Sequence, residues 1–189
     1  SGFTITKRLQ GEAFASFTVE QNSSTVYDRN CYILPEIVGS SVEKYYLDKK
    51  PEIQKKSSNK YIVTYRFEHE SFRLKYIVFL YTLTNESDFY WYANLDEIID
   101  KLVENANRYQ PGLFVKGTVP SGTTYKNHKF SGESCWDVLS RMCEEYEYEY
   151  EFVYSSGVWT INIAEKITRA WPLTLQYGKG NGLYEITRE

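Results

Sequence analysis

The spacing of apolar residues along the chain changes period once. Before residue 94 it is close to two: short β-branched and aromatic runs over 14–19, 41–47, 61–67 and 76–83 alternate with polar connectors. Pro35 and Gly39 punctuate one junction and Asp48-Lys49-Lys50-Pro51 another, while Lys55-Lys56-Ser57-Ser58-Asn59-Lys60 reads as a solvated turn. Strands of that length between such connectors predict a small barrel or sandwich.

Beyond residue 94 the period moves to 3.6. Leu95, Ile98, Ile99, Leu102, Val103 and Ala106 recur at helical spacing, with Asp96, Glu97, Asp100, Lys101 and Glu104 on the other face. A helix is predicted over about 94–109, with Asn94 as N-cap, Glu97 as its reciprocal capping-box partner and Pro111-Gly112 beyond its end. A second is predicted over about 134–146, on the stripe Val138, Leu139, Met142, Cys143 and Tyr146, with Ser131 or Ser134 as cap. From Glu147 the chain alternates strictly, placing Tyr148, Tyr150, Phe152 and Tyr154 on one face and glutamates on the other. Ser155-Ser156-Gly157 then turns it into Val158-Trp159-Thr160-Ile161-Asn162-Ile163, a hairpin over about 147–164. A last strand is expected at 173–177, before the glycine loop 178–182. The fold class is therefore α+β and β-rich: a small β-barrel-like lobe over 1–93, then a lobe over 94–189 with two helices and an antiparallel hairpin.

Composition narrows the function. Among 189 residues, 18 are Tyr and 10 Phe, and a ring with a polar tip suits strands and interfaces more than helical bundles. Net charge is −3, so the basic footprint of a protein that grips phosphate backbones is missing. Acidity belongs to the second half: 1–93 holds 12 basic and 11 acidic groups, 94–189 holds 10 and 14. The most apolar stretch, 76–83, is about a strand long, too short for a membrane-spanning helix. No secretory signal is written at the start, and Ser1-Gly2 in place of Met reads as a cloning scar or an excision point. Cys31, Cys135 and Cys143 are odd in number and scattered, which fits buried or idle thiols in a reducing cytosol.

Catalytic and metal signatures are sparse. The only histidines, His69 and His128, stand far apart without a Cys at ligand spacing. In Glu68-His69-Glu70 strand alternation sends His69 away from both carboxylates. Cys135 and Cys143 lie two helical turns apart and cannot bridge, and no nucleophile elbow is present. Gly178-Lys179-Gly180-Asn181-Gly182 matches neither a Walker motif nor a dinucleotide fingerprint and reads as a turn or hinge. Glu147, Glu149 and Glu151 put three like charges on one strand face, a solvated edge or a lining surface rather than a glycosidase pair. No catalytic site, cofactor or metal is expected within these residues.

The second half carries a set of segments with a likeness. They are Leu95-Asp96-Glu97-Ile98-Ile99-Asp100-Lys101-Leu102-Val103-Glu104-Asn105-Ala106-Asn107-Arg108, Phe130-Ser131-Gly132-Glu133-Ser134-Cys135-Trp136-Asp137-Val138-Leu139-Ser140-Arg141-Met142-Cys143-Glu144-Glu145-Tyr146, and Tyr177-Gly178-Lys179-Gly180-Asn181-Gly182-Leu183-Tyr184-Glu185-Ile186-Thr187-Arg188. Together they resemble tail proteins of phages and prophages, especially of Bacteroides-like bacteria, and are similar to the baseplate central hub family, whose relatives include type VI secretion spike hubs and the prophage endopeptidase-tail family. The resemblance covers about half the chain; the first half matches in outline, as a barrel that continues a tail tube.

The resemblance implies a structural role in the virion tail, made in the bacterial cytoplasm: a homo-trimer joining tail tube and spike proteins, with no cofactor, no membrane and no specific nucleic-acid binding. DNA would pass through its lumen, and Glu147, Glu149 and Glu151 facing that lumen would let a polyanion slide without sticking. Two alternatives differ in class. One is the non-catalytic N-terminal part of a tail-associated cell-wall hydrolase, its enzyme lying downstream of Glu189. The other is a surface or carbohydrate-binding module, suggested by Trp91 and Trp171.

Overall fold

A computed structural model describes residues 3–7, 13–28, 31–35, 43–47, 49–81, 84–165 and 167. The fold is α+β and β-rich. Strands β1 (Phe3–Lys7), β2 (Ala13–Gln21), β3 (Tyr32–Ile33), β4 (Tyr45–Tyr46), β5 (Glu52–Ser57) and β6 (Lys60–His69) form one antiparallel sheet, ordered β1-β2-β6-β4-β3 and curled into a half-barrel. The ten-residue β6 organises it. Val63, Tyr65, Phe67 and His69 point inward at period two. One edge of β6 pairs β2 over Tyr61–Glu68; the other takes β5 near its start and β4 at Glu68 and His69. Phe3, Phe17 and Tyr65 lie in cross-strand register and their rings follow one another across the sheet, Phe17 to Tyr65 at 5.2 Å.

Three expectations for this half need correction. Lys55 and Lys56 belong to β5, and only Ser58 and Asn59 form the turn. Every side chain of β5 is exposed, so no apolar alternation marks it; the β6 backbone supplies its partner. The run over 41–47 contributes only Tyr45–Tyr46 as strand, with 41 and 42 outside the described residues. The described part of the run over 76–83, residues 76–81, joins no sheet. The chain leaves β6 through a 3-10 helix, Glu70–Tyr76, and then runs extended past the start of the second helix, where Phe79 N–H donates to Glu133 O and Cys135 N–H to Ile77 O. Ile77 and Phe79 are buried and Val78 exposed, a strand's alternation with a loop as partner. Residues 82 and 83 lie outside the described residues.

The remaining elements are β7 (Asp88–Ala93), α1 (Leu95–Tyr109), β8 (Phe114–Lys116), β9 (Lys126–Ser131), α2 (Cys135–Glu145), β10 (Glu149–Ser155) and β11 (Val158–Ala164). β7 pairs β9 antiparallel; β10, β11 and β8 form a sheet in which β8 and β11 run parallel. Asn94 caps α1, its Oδ1 accepting from Glu97 N–H at 3.0 Å, and Ser134 caps α2 through Asp137 N–H. The Glu97 carboxylate, expected to close the capping box, accepts the Tyr125 hydroxyl at 2.8 Å. Gly117 lies against β11 so closely that a Cβ there would collide with Asn162 Oδ1, which is engaged by Thr118 N–H.

The hairpin begins two residues later than its alternation suggests. Tyr148 N–H donates to Cys143 O and Glu147 N–H to Glu144 O, while Glu147 itself adopts φ +59°. That is a Schellman ending for α2, with glutamate where glycine is usual. Ser156 and Gly157, both at positive φ, make the two-residue turn to β11.

Apolar contacts collect in two clusters. One lies within the curled sheet, around Ala15, Tyr45, Leu47, Val63, Tyr65 and Phe67. The other joins α1 and α2 to β8, β11, the 3-10 helix, the segment after it and β7, including Leu74, Ile77, Phe79 and Phe89. The change of core thus falls between His69 and Leu74, earlier than the change of period at 93/94, because Ile77, Phe79, Phe89 and Ala93 pack against the helices rather than the first sheet. The strand expected at 173–177 and the loop 178–182 lie outside the described residues.

Candidate functional site

Where the two clusters meet, the interior is polar. β6 ends at His69, and the turn into the 3-10 helix carries the next two side chains, Glu70 and Ser71, inside with it. His69, Glu70 and Ser71 are 3%, 2% and 1% exposed. Strand alternation therefore fails at the strand's last residue: His69 and Glu70 both point inward, while Glu68 is half-buried with its carboxylate toward the Tyr76 hydroxyl.

Glu70 is held from three sides. Its Oε1 meets Lys44 Nζ at 2.9 Å and lies 3.6 Å from Arg73 Nε; its Oε2 accepts the Trp159 indole N–H at 3.1 Å; its own N–H donates to Lys44 O. Trp159 comes from β11 and is fully buried. Its ring meets His69 edge-on, with centroids 4.5 Å apart. The Arg73 guanidinium lies over the Tyr46 ring, 4.7 Å from its centre. A buried carboxylate is tolerable when paired and hydrogen-bonded, and Glu70 has both.

Beside it, Ser71 Oγ and His69 Nδ1 are 2.7 Å apart, and His69 Nε2 is 3.7 Å from Glu43 Oε2, which accepts the Tyr45 hydroxyl at 3.0 Å. Burial first, then the Glu43 carboxylate, pushes the Tyr45 phenol well above its ordinary value. Nucleophile, base and acid stand in catalytic order, but a serine 1% exposed is closed to substrate. The trio is a buried polar cluster at the end of β6, in which Ser71 and His69 share a hydrogen bond and Glu43 stands within ion-pair distance of His69.

Above Glu70 a cleft of about 340 Å³ opens to solvent. Lys44 and Arg73 form one wall, Gln110 to Leu113 after α1 another, and Gly157 at the hairpin turn a third. Among the described residues, no group of three His, Cys, Asp or Glu is placed to hold a metal ion.

The expected site residues lie elsewhere. Glu149 and Glu151 are half-buried on β10, and Glu149 Oε2 accepts Ile167 N–H at 2.9 Å; exposed Glu147 sits in the helix-ending turn. Their neighbours Tyr150, Phe152 and Tyr154 turn toward Trp136 and Trp159. Cys135 and Cys143 are buried free thiols, each pushed up to about 12 by desolvation, and Cys31 is half-buried and raised for the same reason. Trp91 is half-buried against the second cluster, and Trp171 lies outside the described residues. The exposed rings of β7 are instead Tyr90 and Tyr92, at 76% and 62%.

Four side chains that the structure engages went unread in the sequence, though one left a signal. Asn105 falls on the apolar stripe of α1, three residues after Leu102, and a polar group there needs a partner inside. Its amide accepts Leu80 N–H and donates to Leu80 O, pairing the extended segment as a strand would. Asn107 does the same for Phe114, at 3.1 and 2.7 Å. Glu70 and Trp159 left no signal, since nothing local ties a carboxylate to an indole so far along the chain.

No family model matches the sequence, and no curated protein does. Among solved structures, the 43 kDa tail protein of prophage MuSo2 from Shewanella oneidensis is similar in fold, with a TM-score of 0.55 and 11% identity. The likeness covers 82% of this chain and 46% of that one, so the chain spans about half the length of the tail protein it matches.

Proposed function

We propose that this chain is a structural part of a phage or prophage tail, a baseplate hub segment that joins tail tube to spike. The observation that carries the reading is the likeness in fold to a prophage tail protein over 82% of the chain. The resemblance of the two helical segments to hub proteins, noted from sequence, points the same way. On this reading the working form is a homo-trimer in the virion tail that contacts tail-tube and spike proteins without a cofactor. Tyr27, Tyr32, Tyr76, Tyr90 and Tyr92 are exposed, and amphipathic rings of this kind are enriched at subunit contacts. Glu149 and Glu151, with Glu147 at the entry to β10, would face the lumen through which DNA passes.

The test is assembly. Light scattering of the purified chain, alone and co-expressed with the tail-tube and spike proteins encoded beside it, is expected to give three copies per particle or a mixed complex. A monomer under both conditions overturns the hub reading. Charge reversal at Glu149 and Glu151 is expected to leave the trimer intact and slow DNA passage; unchanged passage removes the lumen assignment alone.

A second reading, a surface-glycan module, is favoured by Tyr90 and Tyr92 standing exposed beside Lys129 and Asn127 on the β7–β9 face. Saturable glycan binding lost in Tyr90→Ala would support it.

A further inference from the structure

The cleft above Glu70 has more donors than acceptors. Lys44 and Arg73 bring two positive charges to it and Glu70 one negative, so its charged lining carries a net +1 among the described residues. The Glu70 oxygens are already engaged, Oε1 by Lys44 and Oε2 by Trp159. Lys44 has three N–H groups and gives one to Glu70. Arg73 Nε is itself buried and makes no hydrogen bond, its carboxylate neighbour standing at 3.6 Å, so only the exposed remainder of the guanidinium faces the cleft. Both cations are held in place from behind by rings that offer no strong acceptor, Lys44 at 4.8 Å from the Tyr32 centre and Arg73 at 4.7 Å from that of Tyr46. Both side chains are about a quarter exposed, so each is partly stripped of water yet open to the cleft.

We propose that this cleft binds one carboxylate, supplied by an aspartate or glutamate side chain of a peptide segment laid across it. A single negative charge balances the lining. A dianion such as phosphate would set its second charge against Glu70, which cannot turn away because Trp159 and Lys44 hold both its oxygens. The rim suits an extended chain: Gly112 and Gly157 carry no side chain, and a Cβ at either would meet nothing within 4 Å, which leaves the approach to the backbone open. Charge-assisted bonds from a fixed guanidinium and ammonium are the strong kind, and here they are made at a partly desolvated wall. The inference stands whether or not the chain belongs to a tail.

Trp159 reports on the floor of the cleft, since its indole N–H is bonded to Glu70. In an indole N–H correlation spectrum of the full chain, with Trp159→Phe assigning the signal, titration with acetyl-Ala-Glu-Ala-amide is expected to shift the Trp159 signal saturably. Acetyl-Ala-Gln-Ala-amide is expected to leave it in place. Arg73→Gln, whose Nε makes no bond to Glu70, is expected to weaken the glutamate peptide about tenfold or more while keeping the native indole pattern, and Lys44→Gln, which also loses the Glu70 ion pair, to weaken it as much with the Trp159 signal displaced. Equal response to the glutamine peptide, no saturable shift, or full affinity in both variants overturns the proposal. Two further probes decide the source: preference for acetyl-Ala-Ala-Ala with a free terminus overturns the side-chain assignment, and tighter binding of inorganic phosphate overturns the single-charge argument.

Discussion

Trp159 and Glu70 stand 89 residues apart in sequence and share one hydrogen bond, indole N–H to carboxylate at 3.1 Å, inside the junction of the two cores. Each satisfies the other's buried polar group. Removing Glu70 leaves the indole unpaired and the charges of Lys44 and Arg73 without their counter-ion, so Glu70→Ala is expected to cost about 3 kcal/mol. Trp159→Phe leaves Oε2 without its donor. A double-mutant cycle by urea unfolding is expected to return a coupling of about 1–2 kcal/mol; additive losses would mean the bond does not tie the two units.

Glu147 predicts a gain. Its φ of +59° places an L side chain in the left-handed region, which glycine enters freely. Glu147→Gly is expected to raise stability by about 0.5–1 kcal/mol, while Glu147→Val lowers it. A glycine variant that melts earlier would show that the glutamate side chain contributes more than its backbone costs.

Asn105 serves as a strand made from one amide. Asn105→Ala leaves Leu80 N–H and C=O without their partner and is expected to cost about 2 kcal/mol. Hydrogen exchange locates the effect: protection at the Leu80 amide should fall more than at Phe114, whose partner is Asn107. Equal loss at both would point to general loosening of α1.

His128 sets a pH dependence. It is buried on β9, and burial, opposed by Glu145 at 3.4 Å and a backbone contact at Ala93, holds it below its ordinary value of 6.5. The unfolded chain therefore takes the proton first as pH falls. This contribution is fully present above 6.5 and is lost as pH drops from there toward the lowered folded value. Stability of the native chain minus that of His128→Gln, measured from pH 7.5 to 5, should decline with acid; a flat or rising difference rules out burial as the governing cause.

The helices and the hairpin were legible because their information is local. α1 writes its stripe and its cap within fifteen residues, and Tyr150 to Tyr154 announce a half-buried strand. What escaped has a physical reason in each case. β5 shows no apolar face because both its faces meet water. The run over 76–83 has the alternation of a strand, yet over Ile77 to Leu80 a loop and the Asn105 amide, not a sheet, satisfy its backbone. Glu147 continues the alternation of β10 in sequence but belongs to the helix before it. The candidate cleft was illegible altogether: Lys44, Arg73, Gly112 and Gly157 come from four places and acquire meaning only when β11 lays Trp159 against Glu70.

That contact also orders events during synthesis. The curled sheet, with Glu70 at its end, leaves the ribosome while β11 is still unmade, and domains generally fold as they emerge. Until Trp159 follows, the nascent first unit holds Glu70 with Lys44 and Arg73 alone, and its terminal carboxylate is a vacant socket. The hairpin of β10 and β11 is thus the piece that closes it, and a ribosome paused just short of β11 should carry a sheet that is folded but still open at that end.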